Sequence, residues 1–212
     1  MTVDPWRITG QQQIDSYVER HVQRAVLLVN ELAVERAYGR QVVPPATGPD
    51  RQAAVQEALA TAGLPASESL TPADADRLAA VATQLRPAFR TGSQPVIEEL
   101  NRLLVRHAAV PNLHGRPDGP PVLAFHRAEA GLVDAWTADA GTALAMVIGV
   151  GQGERLRSCE AANCERAFFD TTRNASRRFC GLSCQNRAKA STYRQRRAAG
   201  TAAGEGGPPP GR

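Results

Sequence analysis

Apolar residues near the start of the chain recur every three or four positions. Ile14, Tyr17, Val18, Val22, Ala25, Leu28, Val29 and Leu32 form one stripe, closed by Gly39 and then Pro44 and Pro45. That period predicts a single long amphipathic helix over residues 12–38. Asp50 is expected to cap a second helix that turns Val55, Ala58 and Leu59 inward and stops at Gly63 and Pro65. A third starts at Thr71-Pro72 with Asp74 in its first turn and buries Leu78, Val81 and Leu85. Pro87 must kink or end it, because proline lacks the amide donor and crowds the previous turn.

Pro95 suits the first residue of a fourth helix carrying Val96, Ile97, Leu100, Leu103 and Leu104 to about His107. The period then changes. Val110 to Leu113 and Val122 to Phe125 read as two strands, with Gly115 to Pro121 as the turn of a hairpin. A last helix of this region is expected from Leu132 to Gly149, with Trp136, Ala140, Ala143, Leu144, Val147 and Ile148 on adjoining rows. Beyond it, Ala167 to Phe169 predicts a short strand, and another helix follows Cys184. The fold class is therefore mainly α: a helical N-terminal body with one β-hairpin, then a small C-terminal unit made of a short hairpin and a helix.

Composition narrows this further. A chain of 212 residues with 42% hydrophobic and only 5% aromatic residues builds one medium core from aliphatic side chains, with a small module attached. From Thr201 the chain is glycine, small residues and Pro208 to Pro210, a composition expected to stay disordered. The expected boundaries are 1–152 for the body, 153–199 for the module and 200–212 for the tail.

All four cysteines lie in the module, as Cys159-x4-Cys164-x15-Cys180-x3-Cys184. Two close pairs separated by a returning loop match the tetrahedral sulfur coordination of zinc, and cysteines scattered as plain buried thiols rarely pair this way. A catalytic zinc keeps an open position; four thiolates close the shell. One structural zinc ion held by Cys159, Cys164, Cys180 and Cys184 is the expectation. The complex carries a formal charge near −2, so cations and amides are needed beside it, and Arg157, Arg166, Arg178 and Arg187 are close in sequence.

Charge separates the two parts. Residues 1–154 hold 13 basic and 17 acidic residues, whereas residues 155–197 hold 11 and 3. A basic module on an acidic body points to a polyanionic partner for the module alone. At 100° per residue the final helix places Cys184, Ala188, Ser191 and Gln195 on one side. Gln185, Asn186, Lys189, Tyr193, Arg196 and Arg197 fall on the other, flanked by Arg187 and Arg194. Amides, guanidinium groups and an aromatic ring are what bond base edges and phosphates from a helix in a major groove. With Arg177 and Arg178 these form the candidate nucleic-acid contacts. A solvated charged face is the plainer reading of the same residues.

The runs Arg155-Leu156-Arg157-Ser158-Cys159, Phe169-Asp170, Asn174, Arg177-Arg178-Phe179-Cys180, Cys184-Gln185-Asn186-Arg187 and Lys189 with Tyr193-Arg194 resemble the CGNR zinc finger of bacteria. That family joins its finger to an upstream α-rich ABATE domain, and its members are described as stress-induced transcription regulators. The resemblance thus implies a DNA-binding regulator with a finger and an ABATE-like body. Upstream it rests on Leu28-Val29-Asn30 and on the helix before the finger. Two positions depart: Gln185 replaces the glycine of the family's name, and Phe179 replaces a tryptophan. Neither is a metal ligand.

The body is expected to sense a small-molecule effector or to form a homodimer. An RNA-binding or protein-binding zinc unit is the alternative function. Catalysis is not expected, since no phosphate loop or nucleophile elbow occurs and Glu31 with Glu35, and Glu98 with Glu99, sit on helices beside arginines. His107 and His126 are weighed as a second metal pair and Trp6 with Trp136 as a pocket lining; capping histidines and core tryptophans explain them more simply. Neither a leader nor an apolar span of about 20 residues is present, so a cytoplasmic protein without membrane contact is expected.

Overall fold

The computed structural model describes residues 5–65, 69–90, 93–116 and 119–204, with side chains described between 16 and 197 except at 116–120 and in the gaps. Within these ranges the protein is mainly helical with three two-stranded antiparallel sheets.

The long helix α1 (Pro5–Leu32) is the axis of the body. Helices α2 (Gly48–Thr61), α3 (Pro72–Leu85), α4 (Gln94–Arg106) and α5 (Leu132–Gly149) pack around it or on one another. Val22, Leu28, Val29, Val55, Leu59, Leu78, Leu85, Leu103 and Leu144 are almost completely enclosed, and Phe89 is the one large aromatic among the fully buried side chains of the described residues. This is the aliphatic core expected. Trp136 lies in it as well, beneath the guanidinium of Arg24 at 4.6 Å; the side chain of Trp6 falls outside the described residues.

Local signals account for most boundaries. Thr71 and Asp74 form a capping box at the start of α3, each side chain bonded to the other's amide. Leu85 ends α3, and Pro87 sits in a 3₁₀ turn over Arg86–Phe89. Gly63 adopts φ 65, the left-handed stop of α2. Two expectations need correction. Thr47, not Asp50, caps α2: its hydroxyl accepts from the Asp50 amide at 3.4 Å, and Asp50 occupies the first turn. Helix α1 stops at Leu32 rather than running to residue 38. Strands β1 (Arg36–Ala37) and β2 (Arg40–Gln41) follow, joined through Tyr38 at φ 53 and Gly39 at φ 88. Two successive positive φ angles make the tight turn whose twist suits a two-residue hairpin.

Strands β3 (Asn112–Arg116) and β4 (Gly119–Ala124) pair as expected, but reach further toward each other, so residues 117–118 separate them. The hairpin is pinned to the helices by the buried carboxylate of Asp139 on α5. Its Oδ1 accepts from the Tyr17 hydroxyl at 3.0 Å and from the Phe125 amide at 2.8 Å, and Oδ2 lies 3.0 Å from Nδ1 of His126. His21 completes this cluster. Its Nδ1 lies 3.4 Å from Nη1 of Arg24, and burial, ahead of the neighbouring cations Arg24 and Arg20, pushes its pKa down to about 4 despite Asp139.

The C-terminal module is not a separate bead. Strands β5 (Leu156–Ser158) and β6 (Ala167–Phe169) pair antiparallel, and Leu156 and Ala167 belong to the main core beside α1. The carboxamide of Asn30, buried on α1, grips both backbone groups of Ala167: Nδ2 donates to its carbonyl at 3.0 Å and Oδ1 accepts from its amide at 2.8 Å. Glu165 anchors the other end, 2.5 Å from Arg36, 2.8 Å from Arg86 and 3.6 Å from Arg90. Helix α6 spans Leu182–Gly204, so residues 201–204 extend the helix rather than begin a loose tail; residues 205–212 lie outside the described range. Among the described residues no helix is long and apolar enough to cross a membrane.

Candidate metal centre and nucleic-acid face

The turn between β5 and β6 carries Cys159 and Cys164. It is tightened by the Cys159 amide donating to Arg166 O at 2.9 Å, the Cys164 amide donating to Ala161 O at 3.1 Å, and Asn163 at φ 56. Cys180 precedes α6, and Cys184 lies in its first turn. All four Sγ atoms fall within 4.8 Å of one another. Three separations are 3.9 Å for Cys164–Cys180, 3.6 Å for Cys180–Cys184 and 3.7 Å for Cys184–Cys164. A tetrahedron with zinc–sulfur bonds of about 2.3 Å has edges of about 3.8 Å. These spacings therefore fit a metal at the centre, and they are far too long for disulfides, whose sulfurs stand about 2.05 Å apart. The four cysteines form a closed site for one zinc ion, which ties the β5–β6 turn to the start of α6.

Electrostatics agrees with that chemistry. Burial first, then the neighbouring Cys159 and Cys164, push the Cys180 thiol well above its ordinary value, and burial also raises Cys184. Cys164 goes the other way. Burial opposes its ionisation too, but hydrogen bonds from the backbone amides of Arg166 and Tyr38 outweigh it. Four thiols this close resist losing their protons together, and a divalent cation at the centre reverses the balance. The Cys180 amide also donates to the Cys159 sulfur at 3.4 Å, and Arg187 Nη2 to that of Cys184 at 3.6 Å.

Around this centre the cysteine unit is knit by polar groups more than by apolar ones. Arg155 Nη1 donates to the carbonyls of Asp170 at 3.0 Å and Thr172 at 2.6 Å, and Nη2 to that of Arg173 at 3.3 Å. The fully buried Asp170 answers from the other side, accepting from the Thr172 amide and hydroxyl at 2.9 Å and 2.6 Å and from the Arg177 amide at 2.7 Å. Burial alone raises such a carboxyl; these hydrogen bonds hold its pKa below the usual range.

Residues 155–197 match the CGNR zinc finger. An ABATE domain is not detected upstream of the finger. No curated protein matches the chain.

The finger sorts the candidate nucleic-acid residues into two groups. Arg177 donates to the carbonyls of Phe179, at 2.9 Å, and Cys180, and its guanidinium lies 4.9 Å over the Phe168 ring. Arg178 pairs with Glu160 at 2.6 Å, and Arg187 turns back to Ala162 O at 3.1 Å. These three arginines have partners inside the finger. Asn186, Lys189, Tyr193, Arg194, Arg196 and Arg197 are exposed along α6, and Gln185 is half-buried at the head of that row. Sequence reasoning missed Leu182, which is 76% exposed one turn before Gln185 and Asn186. An apolar residue at the start of an otherwise polar helix face was the available signal.

The other candidate chemistry resolves into structural pairings. His107 pairs with Asp134 at 2.7 Å, and His114 meets the His126 carbonyl at 3.1 Å. Among the described residues the four cysteines are the group whose ligand atoms gather for a metal. Glu31 faces Arg166 at 3.5 Å, and Glu99 faces Arg102 at 2.8 Å.

Proposed function

We propose that the protein is a DNA-binding transcription regulator in which zinc fixes α6 and the outward row of that helix meets the duplex. The observation that carries this reading is the fate of the finger's acids. Glu160 is paired with Arg157 and Arg178, Glu165 with three arginines of the body, and Asp170 is buried in its loop. Residues 182–196 contain no acid, so the row from Gln185 to Arg196 presents cations and amides on a stretch of helix that carries no carboxylate of its own. Such a face attracts phosphates by counterion release, and Gln185 and Asn186 carry the amide pattern that pairs with adenine edges in a major groove.

In this reading the body, ABATE-like as the resemblance implies, acts as sensor or dimerisation domain. Leu113 and Leu123, paired across the β3–β4 ladder and exposed, offer apolar surface for a second copy. The reading assigns the protein no catalytic role.

Binding of the zinc-loaded protein to genomic DNA, followed by fluorescence anisotropy at several salt concentrations, tests the proposal. Replacing Lys189, Arg194 and Arg196 by alanine is expected to weaken binding to all sequences. The slope of log affinity against log salt should become shallower by about one for each phosphate no longer neutralised. Absent or salt-independent binding would sink the proposal, and a clear preference for folded RNA over duplex DNA would replace it with the RNA-binding alternative.

A further inference from the structure

The turn between β1 and β2 belongs to the body, yet it reaches toward the zinc centre. The Gly39 amide donates to Asn163 O at 3.0 Å, and Arg36 O accepts from the Glu165 amide at 2.8 Å, so the hairpin is laced to the loop that carries Cys164. The Tyr38 ring supports the guanidinium of Arg166 at 5.1 Å.

On its other side the turn is covered by Arg187. A Cβ added to Gly39 would stand 2.8 Å from Cζ, Nε and Nη1 of that arginine. Such an approach is open only to glycine, and at φ 88 the backbone also favours glycine. Arg187 in turn reaches Ala162 O at 3.1 Å and the Cys184 sulfur at 3.6 Å. The turn therefore holds the loop that presents Cys164 through two backbone hydrogen bonds and reaches the Cys184 sulfur through the arginine seated on it.

We propose that the Tyr38–Gly39 turn and Arg187 act as one unit that completes the zinc site from the body side, so that the finger's affinity for zinc depends on the body. Four thiolates around a divalent ion leave negative charge on sulfur, and donors aimed at the sulfurs stabilise that charge without entering the coordination shell. The body thereby gains a route to the finger. Whatever shifts β1 and β2 changes the loop that presents Cys164 and the donor on Cys184, and with them the hold on the ion that fixes the start of α6. This inference rests on the zinc site and not on the choice of nucleic acid.

Competition for zinc between the full chain and a chromogenic chelator provides the test, on the wild type, Gly39→Ala, Arg187→Ala and the double variant. Removing donors outside the ligand shell of a metal site costs about 10–100-fold in affinity. Each single variant is expected to lose affinity in that range, and Gly39→Ala to cost clearly less where Arg187 is already gone, because the displaced side chain is then absent. Arg187→Ala leaves the turn's backbone untouched, so it stays informative if Gly39→Ala disturbs the body, which thermal melting of the metal-free variants would reveal. Wild-type zinc affinity in either single variant overturns the proposal. So do losses that multiply independently in the double variant.

Discussion

The body and the finger solve the same problem by different means. The body encloses aliphatic side chains on five helices, and most of its backbone polar groups are satisfied within those helices. The finger has few residues to bury and a long loop over residues 170–181 without regular structure. It holds that loop with a metal and with guanidinium forks that replace missing backbone partners. Arginine enrichment is therefore not in itself a nucleic-acid signal. Arg155, Arg157, Arg177 and Arg187 stitch the finger's carbonyls, and the acid-free helix row beyond them carries the proposed contacts.

Removing the metal should upset this contrast most severely. A structural zinc of this kind contributes about 10–16 kcal/mol of binding free energy near neutral pH, and a unit this small has little else to hold it. Chelation is expected to abolish amide protection across residues 155–197 in hydrogen exchange, while helices α2 to α5 keep theirs. Because Leu156 and Ala167 lie in the main core, protection around Asn30 should weaken as well. Acid should act in the same direction: with the Cys180 thiol raised, metal binding must expel a proton, so zinc affinity falls as pH falls.

A milder disturbance is Asn30→Ala, which strands the buried amide and carbonyl of Ala167. Each unsatisfied group costs about 1–3 kcal/mol, so a loss of about 2–6 kcal/mol is expected by denaturant unfolding of the zinc-loaded protein. A loss under about 1 kcal/mol would show that the finger does not depend on this seam.

The smallest effect lies wholly in the body. His21 titrates near 4 when folded and near its ordinary 6.5 when unfolded. Between those values the unfolded chain binds the extra proton, so stability is lost as pH falls, by about 2 kcal/mol between about pH 7 and pH 5. His21→Gln should flatten that part of the pH dependence; an unchanged profile would refute the assignment.

Some of these features are written locally in the sequence and others are not. The bounds of α5 and β6 and the start of α3 at Thr71-Pro72 are matters of apolar period and turn chemistry, and they emerge where expected. The four zinc ligands are legible because their spacing is itself the chemistry. Helix α1 stops short for a reason that sequence spacing does not carry: residues 36–41 form a hairpin whose outward amide and carbonyl groups are taken up by Asn163 and Glu165, more than 120 positions later. Asn30 offered a faint clue, an amide that directly follows the apolar run from Ala25 to Val29. The seam between body and finger was hidden because both of its halves read as ordinary surface until they meet.

Lys189 is the one lysine among 24 arginines, and it stands exposed in the middle of the α6 row. Arginine is inert to acylating reagents, so the chain has a single side-chain amine, placed where the proposed duplex would cover it. An acyl group added there would erase one positive charge and report, by whether it can be added at all, when that face is occupied.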